Sequence, residues 1–213
     1  MNITLPVQVL LCGGTGTGKT TLLRKVLLPM LSAVGNLAVL VSSVSPKVEK
    51  FDHECEYLLR DSCDILPNHL SAILNWAKKK SGSKFCPVVI LDDLSYHTES
   101  PLFKEFVNVF AREYDLSVIY VRQNLSGHGK SSLLNSCSIL VHPVLSFVPK
   151  PVLHEWIPSL PHKQYLELLD RKKLEITKQQ TKDKCSLYCC GFLLNKFGTY
   201  IPGEENTKFL WIE

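Results

Sequence analysis

The sequence lacks three features that would indicate a membrane, secreted or zinc-binding protein. No apolar run is long enough to span a bilayer, and no basic segment precedes the apolar amino terminus MNITLPVQVLLCGG. None of the eight cysteines forms a C-x2-C pair, which disfavours a zinc site built from His53, Cys55, Cys63 and His69. We therefore expect reduced thiols in a cytosolic or nuclear protein, with no membrane partner.

Charge is present only in an ordinary amount. Charged residues make up 21% of the chain and hydrophobic residues 45%, and the net charge is +4. This composition predicts one globular domain, or one domain with appendages, and disorder is not expected. Mild basicity permits a nucleic-acid partner without requiring one.

Apolar strand-like runs alternate with helical segments over the first two-thirds of the chain. The predicted strands are Val7–Cys12, Leu37–Ser42, Pro87–Asp93, Leu116–Val121 and Cys137–His142. The predicted helices are Thr20–Leu28, which Pro29 should end or kink, Asn68–Lys80 and Ser100–Tyr114. Continuous apolar strands between helices predict an α/β fold, with a parallel sheet covered on both faces.

The pattern changes after His142, so residues 1–142 are predicted to form the core and 143–213 an extension of the same domain. Prolines punctuate the start of this extension, and a basic helix is predicted at His162–Lys173. The polar stretch Ile176–Lys184 is predicted to be a loop. Two late apolar runs, LYCCGFLL and KFLWIE, are expected to form a hairpin or edge strands.

The segment GGTGTGKT, Gly13–Thr20, matches the phosphate-binding pattern G-x-x-x-x-G-K-[ST] in full. It follows an apolar strand and opens a helix, so backbone N–H groups and the helix amino terminus can face phosphate oxygens. Lys19 is expected to reach the β- and γ-phosphates, and Thr20 to bind Mg²⁺. The predicted ATP-binding residues are Gly13, Gly14, Thr15, Gly16, Thr17, Gly18, Lys19, Thr20 and Thr21.

Two adjacent carboxylates, Asp92 and Asp93, follow the apolar run PVVIL. Asp92 is predicted to hold Mg²⁺, directly or through water. A second carboxylate is typical of ATPases that activate water, so Asp93 is the candidate general base. That second acid is usually glutamate, and the alternative for Asp93 is a role as a helix or turn cap.

The stretch VIYVRQNLSGHGK, Val118–Lys130, allows two interpretations. LSGHG resembles the LSGGQ signature of ABC ATPases, but that signature precedes the acidic strand, whereas Leu125–Gly129 follow Asp92. The order therefore excludes the ABC interpretation. VIYVRQN instead fits a strand inserted between the phosphate-loop strand and the acidic strand, with Gln123 directed at the γ-phosphate. Gln123 is the candidate sensor of attacking water, and an ordinary loop glutamine is the alternative.

Three segments resemble the FtsK–HerA superfamily of DNA-pumping ATPases: LLCGGTGTGKTTLLRKVL, VVILDDL and EYDLSVIYVRQNLSGHGKSSLLNSCSILVHP. The resemblance is to the poxvirus-type genome-packaging ATPases of large DNA viruses and Maverick-like elements. The third segment is the most specific, because that family has a strand ending in Gln-Asn, a glycine and lysine loop, and then Leu-Asn-Ser. The resemblance implies a RecA/FtsK-like P-loop NTPase that forms a homo-oligomeric ring and threads double-stranded DNA into a preformed capsid.

In such rings a neighbouring subunit's arginine completes the site, and here that residue is not settled by the sequence. Counting back from Leu134, the expected position holds Lys130, which supplies charge but no bidentate fork. Arg122 and Arg112 are the alternatives, and either could be an ordinary surface or ion-paired residue. The family's histidine after the arginine near Arg112 is replaced by Glu113.

Two lysine-rich segments, Ala77–Lys84 and Asp170–Lys184, are candidate DNA contacts, because a DNA-pumping ring contacts the backbone phosphates, for which lysines suffice. A solvated face is the alternative for both. Neither segment has interleaved aromatic residues, so single-strand stacking is not indicated.

The sequence thus predicts an ATP-hydrolysing motor that translocates double-stranded DNA and packages a viral genome. Its expected cofactors are ATP and Mg²⁺, with a capsid or vertex protein as a further partner. A P-loop nucleoside or nucleotide kinase is the alternative, although no arginine-rich lid is found and the paired acids favour water as nucleophile. A nucleotide-gated assembly factor is a third hypothesis. The expected location is the host cytoplasm or nucleus, or the virion.

Overall fold

One sheet organises the chain. A computed structural model describes residues 3–45, 55–81, 83–94, 101–123, 132–183, 187–196 and 209–213. Its strands are β1 (Gln8–Cys12), β2 (Leu37–Ser43), β3 (Cys55–Leu59), β4 (Cys86–Leu91), β5 (Ser117–Arg122), β6 (Ile139–Pro143), β7 (Gly191–Asn195) and β8 (Phe209–Ile212). They form a single eight-stranded sheet in the order β3-β2-β4-β5-β1-β6-β7-β8.

Helices cover this sheet. Helix α1 spans residues 19–32 as Lys19–Leu22, a π-helical turn Leu23–Leu27, and Leu28–Ser32. Helix α3 spans 101–113 as Pro101–Glu105, a π-helical turn Phe106–Phe110, and Ala111–Glu113. The others are α2 (Pro67–Lys80), α4 (Ser132–Ser136), α5 (Lys150–Trp156) and α6 (His162–Asp183), and a 3₁₀ turn, Leu187–Cys189, precedes β7. None of the helices in the described ranges is long and apolar enough to cross a bilayer.

The six strands from β1 to β6 pair in parallel, whereas β7 and β8 are antiparallel additions beside β6. Side chains of successive strand residues reach opposite faces, so each strand contributes to two cores. Leu10 packs in one core with Val89 and Tyr120, while Val9 and Leu11 pack in the other. Apolar side chains on both faces explain the continuous hydrophobic runs, and the α/β fold class is confirmed.

Two helix predictions need correction. Of the two effects predicted for Pro29, an end of helix α1 is wrong, because the π-helical turn ahead of it has already shifted the backbone bonds: the Leu28 N–H donates to the Leu23 carbonyl. The helix continues to Ser32 and buries Leu31 against the sheet. The predicted loop from Ile176 is helical as far as Asp183, since neither proline nor glycine interrupts α6.

Strand β3 has no counterpart among the strands predicted from the sequence. None of its positions is fully buried, and Glu56, Tyr57 and Leu59 are exposed, so it lacks the buried apolar run that marked the other parallel strands. It pairs with β2 in parallel and brings Leu59 opposite Ser43. The residue after it, Arg60, therefore lies at the same edge of the sheet as the ends of β2 and β4.

Candidate functional site

The phosphate loop joins β1 to α1 at the carboxyl edge of the parallel strands. Gly16 and Gly18 have φ angles of 74° and 91°, a left-handed backbone that glycine adopts without steric cost. The Thr17 hydroxyl donates to the Gly14 carbonyl over 2.8 Å and closes the turn. Lys19 begins the helix, with Thr20 and Thr21 next to it in the first turn. The strand–loop–helix context required by the motif is therefore present.

The Lys19 side chain folds back over the loop. Its Nζ donates to the carbonyls of Gly13 and Gly14 over 2.8 and 2.9 Å. Burial lowers the pKa of Lys19, and the nearby Asp93 and Asp92 carboxylates oppose that shift. The ammonium thus lies against the loop carbonyls, near enough to the acid pair to feel its charge, where it can meet phosphate oxygens.

Asp92 lies directly beyond β4 and is held by β2. Its Oδ2 accepts a hydrogen bond from the Ser43 hydroxyl over 3.1 Å, and its N–H donates to the Ser42 carbonyl over 2.9 Å. Burial raises the pKa of Asp92, and the charge of Asp93 raises it further. A divalent cation would relieve both effects, and the oxygen donors of Asp92 and Thr20 suit Mg²⁺.

Asp93 adopts a left-handed backbone, with a φ of 51°. Such a conformation is uncommon outside glycine, and aspartate and asparagine tolerate it best. The next residue, Leu94, is buried and donates its N–H to the Val121 carbonyl of β5 over 3.2 Å. A tight turn therefore fixes Asp93 between β4 and β5, close enough for its charge to act on both Lys19 and Asp92.

Gln123 follows β5, which lies between β1 and β4 in the sheet as the inserted-strand interpretation requires. The Thr15 hydroxyl donates to the Gln123 Oε1 over 3.3 Å. One residue earlier, the Arg122 carbonyl accepts the Gly13 N–H over 3.2 Å. The fold therefore brings Gln123 into contact with the phosphate loop.

Arg60 is a site residue that the sequence analysis missed. Its side chain is buried, with 4% of the residue exposed, and its guanidinium donates to the carbonyls of Asp92, Ser42 and Ser62. It therefore ties the end of β4 to the ends of β2 and β3 and places a positive charge beside the two acids. A single arginine ending the run EYLLR was the only sequence signal.

The three candidates for the trans-acting basic residue differ in position. Arg122 is buried, with 6% of the residue exposed, so it would have to leave its place to reach a neighbouring subunit. Arg112 is exposed near the end of α3 and lines a cavity with Gln8 and Ser138, at the amino edge of the strands. That edge is opposite the phosphate loop of the same chain. Lys130 lies outside the described residues.

Several lysines of the two predicted DNA-contacting segments form ion pairs at the surface. Lys80, at the end of α2, contacts Glu56 of β3 over 2.8 Å. On α6, the pairs are Lys172–Glu175 at 2.8 Å and Lys173–Asp170 at 3.8 Å. Pairs one turn apart stabilise a solvated helix, and such exposed bridges contribute little to folding, so both roles of these segments stay open.

Comparison with known proteins found similarity at the level of structure alone, since neither a protein-family model nor a curated protein sequence matches the chain. The genome packaging NTPase B204 of Sulfolobus turreted icosahedral virus 2, in complex with ATPγS, superposes with a TM-score of 0.59 at 14% identity, covering 91% of this chain and 94% of B204. With sulfate, B204 gives 0.58 at 14% identity over 89% and 91% of the two chains.

A third structure, B204 described as the DNA-packaging ATPase from Sulfolobus turreted icosahedral virus, gives a TM-score of 0.56 at 12% identity, again over 91% of this chain and 94% of that one. Identities this low show a common fold. The similarity agrees with the resemblance indicated by the sequence motifs, and it extends beyond the segments that carried them. The chain has the fold of a P-loop NTPase, in the form found in a viral genome-packaging NTPase.

Proposed function

We propose that this protein is an ATP-hydrolysing motor that moves double-stranded DNA, packaging a viral genome into a preformed capsid. The observation that carries the proposal is the position of β5 between β1 and β4. This order brings Gln123 against the phosphate loop while Asp92 and Asp93 stand at the end of the neighbouring strand. A sensor amide, an acid pair and a phosphate loop are then available to one triphosphate.

Each residue of the site would have a separate role in ATP hydrolysis. The backbone N–H groups of the loop and the Lys19 ammonium would hold the β- and γ-phosphates. Thr20 and Asp92 would hold Mg²⁺, which neutralises charge on the phosphate oxygens when bound. Asp93 would accept a proton from the attacking water, and Gln123 would orient that water toward the γ-phosphorus.

The motor part of the proposal is supported by the fold and the motifs together. B204 is a genome-packaging NTPase of similar fold, and the strand ending in Gln-Asn resembles the poxvirus-type packaging ATPases. A homo-oligomeric ring would present lysines to the phosphates of DNA in its channel, and a capsid or vertex protein would anchor it. We propose that it acts inside the infected cell.

Steady-state ATP turnover with and without duplex DNA, measured beside particle mass, tests this function. We expect a ring-sized particle whose turnover rises with duplex DNA, and turnover that disappears in Lys19→Ala. Phosphate transfer to a nucleoside by a monomer or dimer would instead establish the kinase alternative. Tight ATP binding without turnover, unaffected by DNA, would favour a nucleotide-gated assembly factor.

A further inference from the structure

The 3₁₀ turn Leu187–Cys189 lies directly on the phosphate loop. A Cβ atom built on Gly18 would come within 2.8 Å of the Cα and Cβ atoms of Tyr188 and within 2.9 Å of its Cδ1. Only a residue without a side chain allows this approach. Tyr188 therefore touches the last glycine of the loop, although the two residues are far apart in the chain.

The strand that follows holds this turn firmly in place. Gly191 begins β7, and a Cβ built on it would come within 2.5 Å of the His142 carbonyl oxygen and 2.8 Å of a Leu22 methyl group. The Cys190 carbonyl accepts the Val144 N–H over 3.0 Å, and Cys190 is buried. The backbone after Tyr188 is thus fixed against both α1 and β6.

The Tyr188 residue nevertheless stays 47% exposed, in contrast to its buried neighbour Cys190. An aromatic side chain that is half open, on a fixed backbone and against a phosphate loop, offers a surface to a planar ligand.

The order of the strands gives the direction in which a bound nucleotide must extend. Asp92, Asp93 and Gln123 lie at the ends of β4 and β5, on one side of β1. They fix the γ-phosphate end to that side. The other end of the triphosphate leaves the loop away from them, and β6 and β7 lie on that opposite side of β1. Tyr188, which precedes β7, lies there.

We propose that Tyr188 is the base-binding residue of the nucleotide site, with its ring stacked on the base of a nucleoside triphosphate. This inference rests on the proposed function, because it requires a triphosphate in the loop. Stacking uses the π-face that every base has, so the contact supplies affinity for a nucleotide over a bare polyphosphate without selecting one base. Tyr188 would act in binding and would take no part in the chemical step.

The test compares ATP with inorganic tripolyphosphate, which presents the same phosphates without base or ribose. Dissociation constants for both, with Mg²⁺, are measured by titration calorimetry for the whole 213-residue chain. Tyr188→Ala should weaken ATP binding about tenfold and leave tripolyphosphate binding within about twofold. Tyr188→Phe keeps the ring and should bind both ligands as the unchanged chain does. Tyr57→Ala removes an aromatic residue that is 37% exposed on β3, and serves as the matched control.

Equal losses for ATP and tripolyphosphate in Tyr188→Ala, or no loss for either, would overturn the proposal. A second variant avoids the risk of misfolding: in Tyr188→Trp, ATP should quench the added indole fluorescence and tripolyphosphate should not. Equal quenching by both ligands would contradict base stacking. If the unchanged chain binds neither ligand, the proposed function itself fails, so the two failures are distinguishable.

Discussion

At the scale of single residues, Asp93 is both the proposed general base and a residue with an uncommon backbone conformation. Its φ of 51° places it in the left-handed region, which most side chains avoid. Asparagine tolerates that conformation as well as aspartate does, so the exchange removes the charge without disturbing the turn.

Asp93→Asn should retain ATP binding and lose hydrolysis by about two orders of magnitude or more, since the general base is gone. Binding is measured by calorimetry, and turnover by phosphate release. Thermal unfolding provides the control and should change little. If turnover survives the exchange, Asp93 is a turn residue and another base must activate the water.

Arg60 contacts the acid pair through its main chain, at the Asp92 carbonyl. It donates to the Asp92 carbonyl and to the carbonyls of Ser42 and Ser62, and within the described part of the chain none of its hydrogen bonds reaches the phosphate loop. Its charge also opposes the rise in the pKa of Asp92. We infer that it positions the two carboxylates without touching the nucleotide.

Arg60→Met should therefore lower turnover at saturating ATP by about 10- to 100-fold, while the dissociation constant for ATP without Mg²⁺ changes little. Arg60→Lys keeps the charge but cannot bridge three carbonyls, so it should recover only part of the rate. Lys163→Met, a change at a highly exposed lysine of α6, is the control. A parallel loss of nucleotide binding and turnover would assign Arg60 a purely structural role.

At the scale of elements, the junction of β6, β7 and α1 leaves no room for a side chain at Gly191. A methyl group on Gly191 would lie 2.5 Å from the His142 carbonyl oxygen, which is backbone and cannot rotate away. Strand β7 pairs with β6 through this region, with Gly191 opposite Pro143. A side chain at Gly191 would therefore disturb the pairing of β6 with β7.

Gly191→Ala should lower the free energy of unfolding by about 1–3 kcal/mol, the usual cost of overpacking. Chemical denaturation measures it. Gly35→Ala is the matched control, because its nearest contact would be the Cys86 sulfur at 3.3 Å, which needs only a small adjustment. Equal losses in both variants would show that the β6–β7 contact is not the cause.

The elements also show what the sequence could and could not predict. The strands ending at Cys12 and Asp92 were predictable, because fully buried parallel strands are continuous apolar runs. Strand β3 was not, since it lies at the sheet edge with exposed side chains. Lys19 and Gln123 were predicted for a different reason: each belongs to a motif whose residues are close together in the sequence, and the fold places both at the phosphate loop.

Arg60 and Tyr188 could not be found in that way. Each reaches the site only through tertiary packing, Arg60 from the end of β3 and Tyr188 from the turn before β7. Neither belongs to a motif with fixed spacing, and an isolated arginine or tyrosine has many roles in proteins. Their place became evident only once the strand order was known.

At the scale of the whole molecule, one buried histidine links stability to pH. His142 is fully buried in β6, where its Nε2 lies 3.3 Å from the Tyr165 hydroxyl and its ring stacks on Phe192. Burial lowers the pKa of His142 from its ordinary 6.5 to about 4. Between these values the unfolded chain binds a proton that the folded chain does not, so acid favours unfolding.

The free energy of unfolding should therefore fall as the pH drops from 6.5 towards 4, by up to about 3 kcal/mol from this residue. His142→Gln has no titrating group at this position, so its stability should depend less on pH over that interval. Denaturant unfolding of both proteins at pH 7.5 and pH 4.5 gives the comparison. The same pH dependence in both would mean that other groups control acid stability.

The two-sided pairing of β5 has a mechanical consequence. Ladder hydrogen bonds to β1 and β4 clamp this strand, so it cannot slide relative to the loop or the acid pair without breaking the centre of the sheet. Gln123 directly follows this strand, so its backbone begins from a fixed point beside the phosphate loop. If the site turns over a nucleotide as we propose, β5 would keep its place in the sheet, and any movement of the Gln123 amide would come from Gln123 itself.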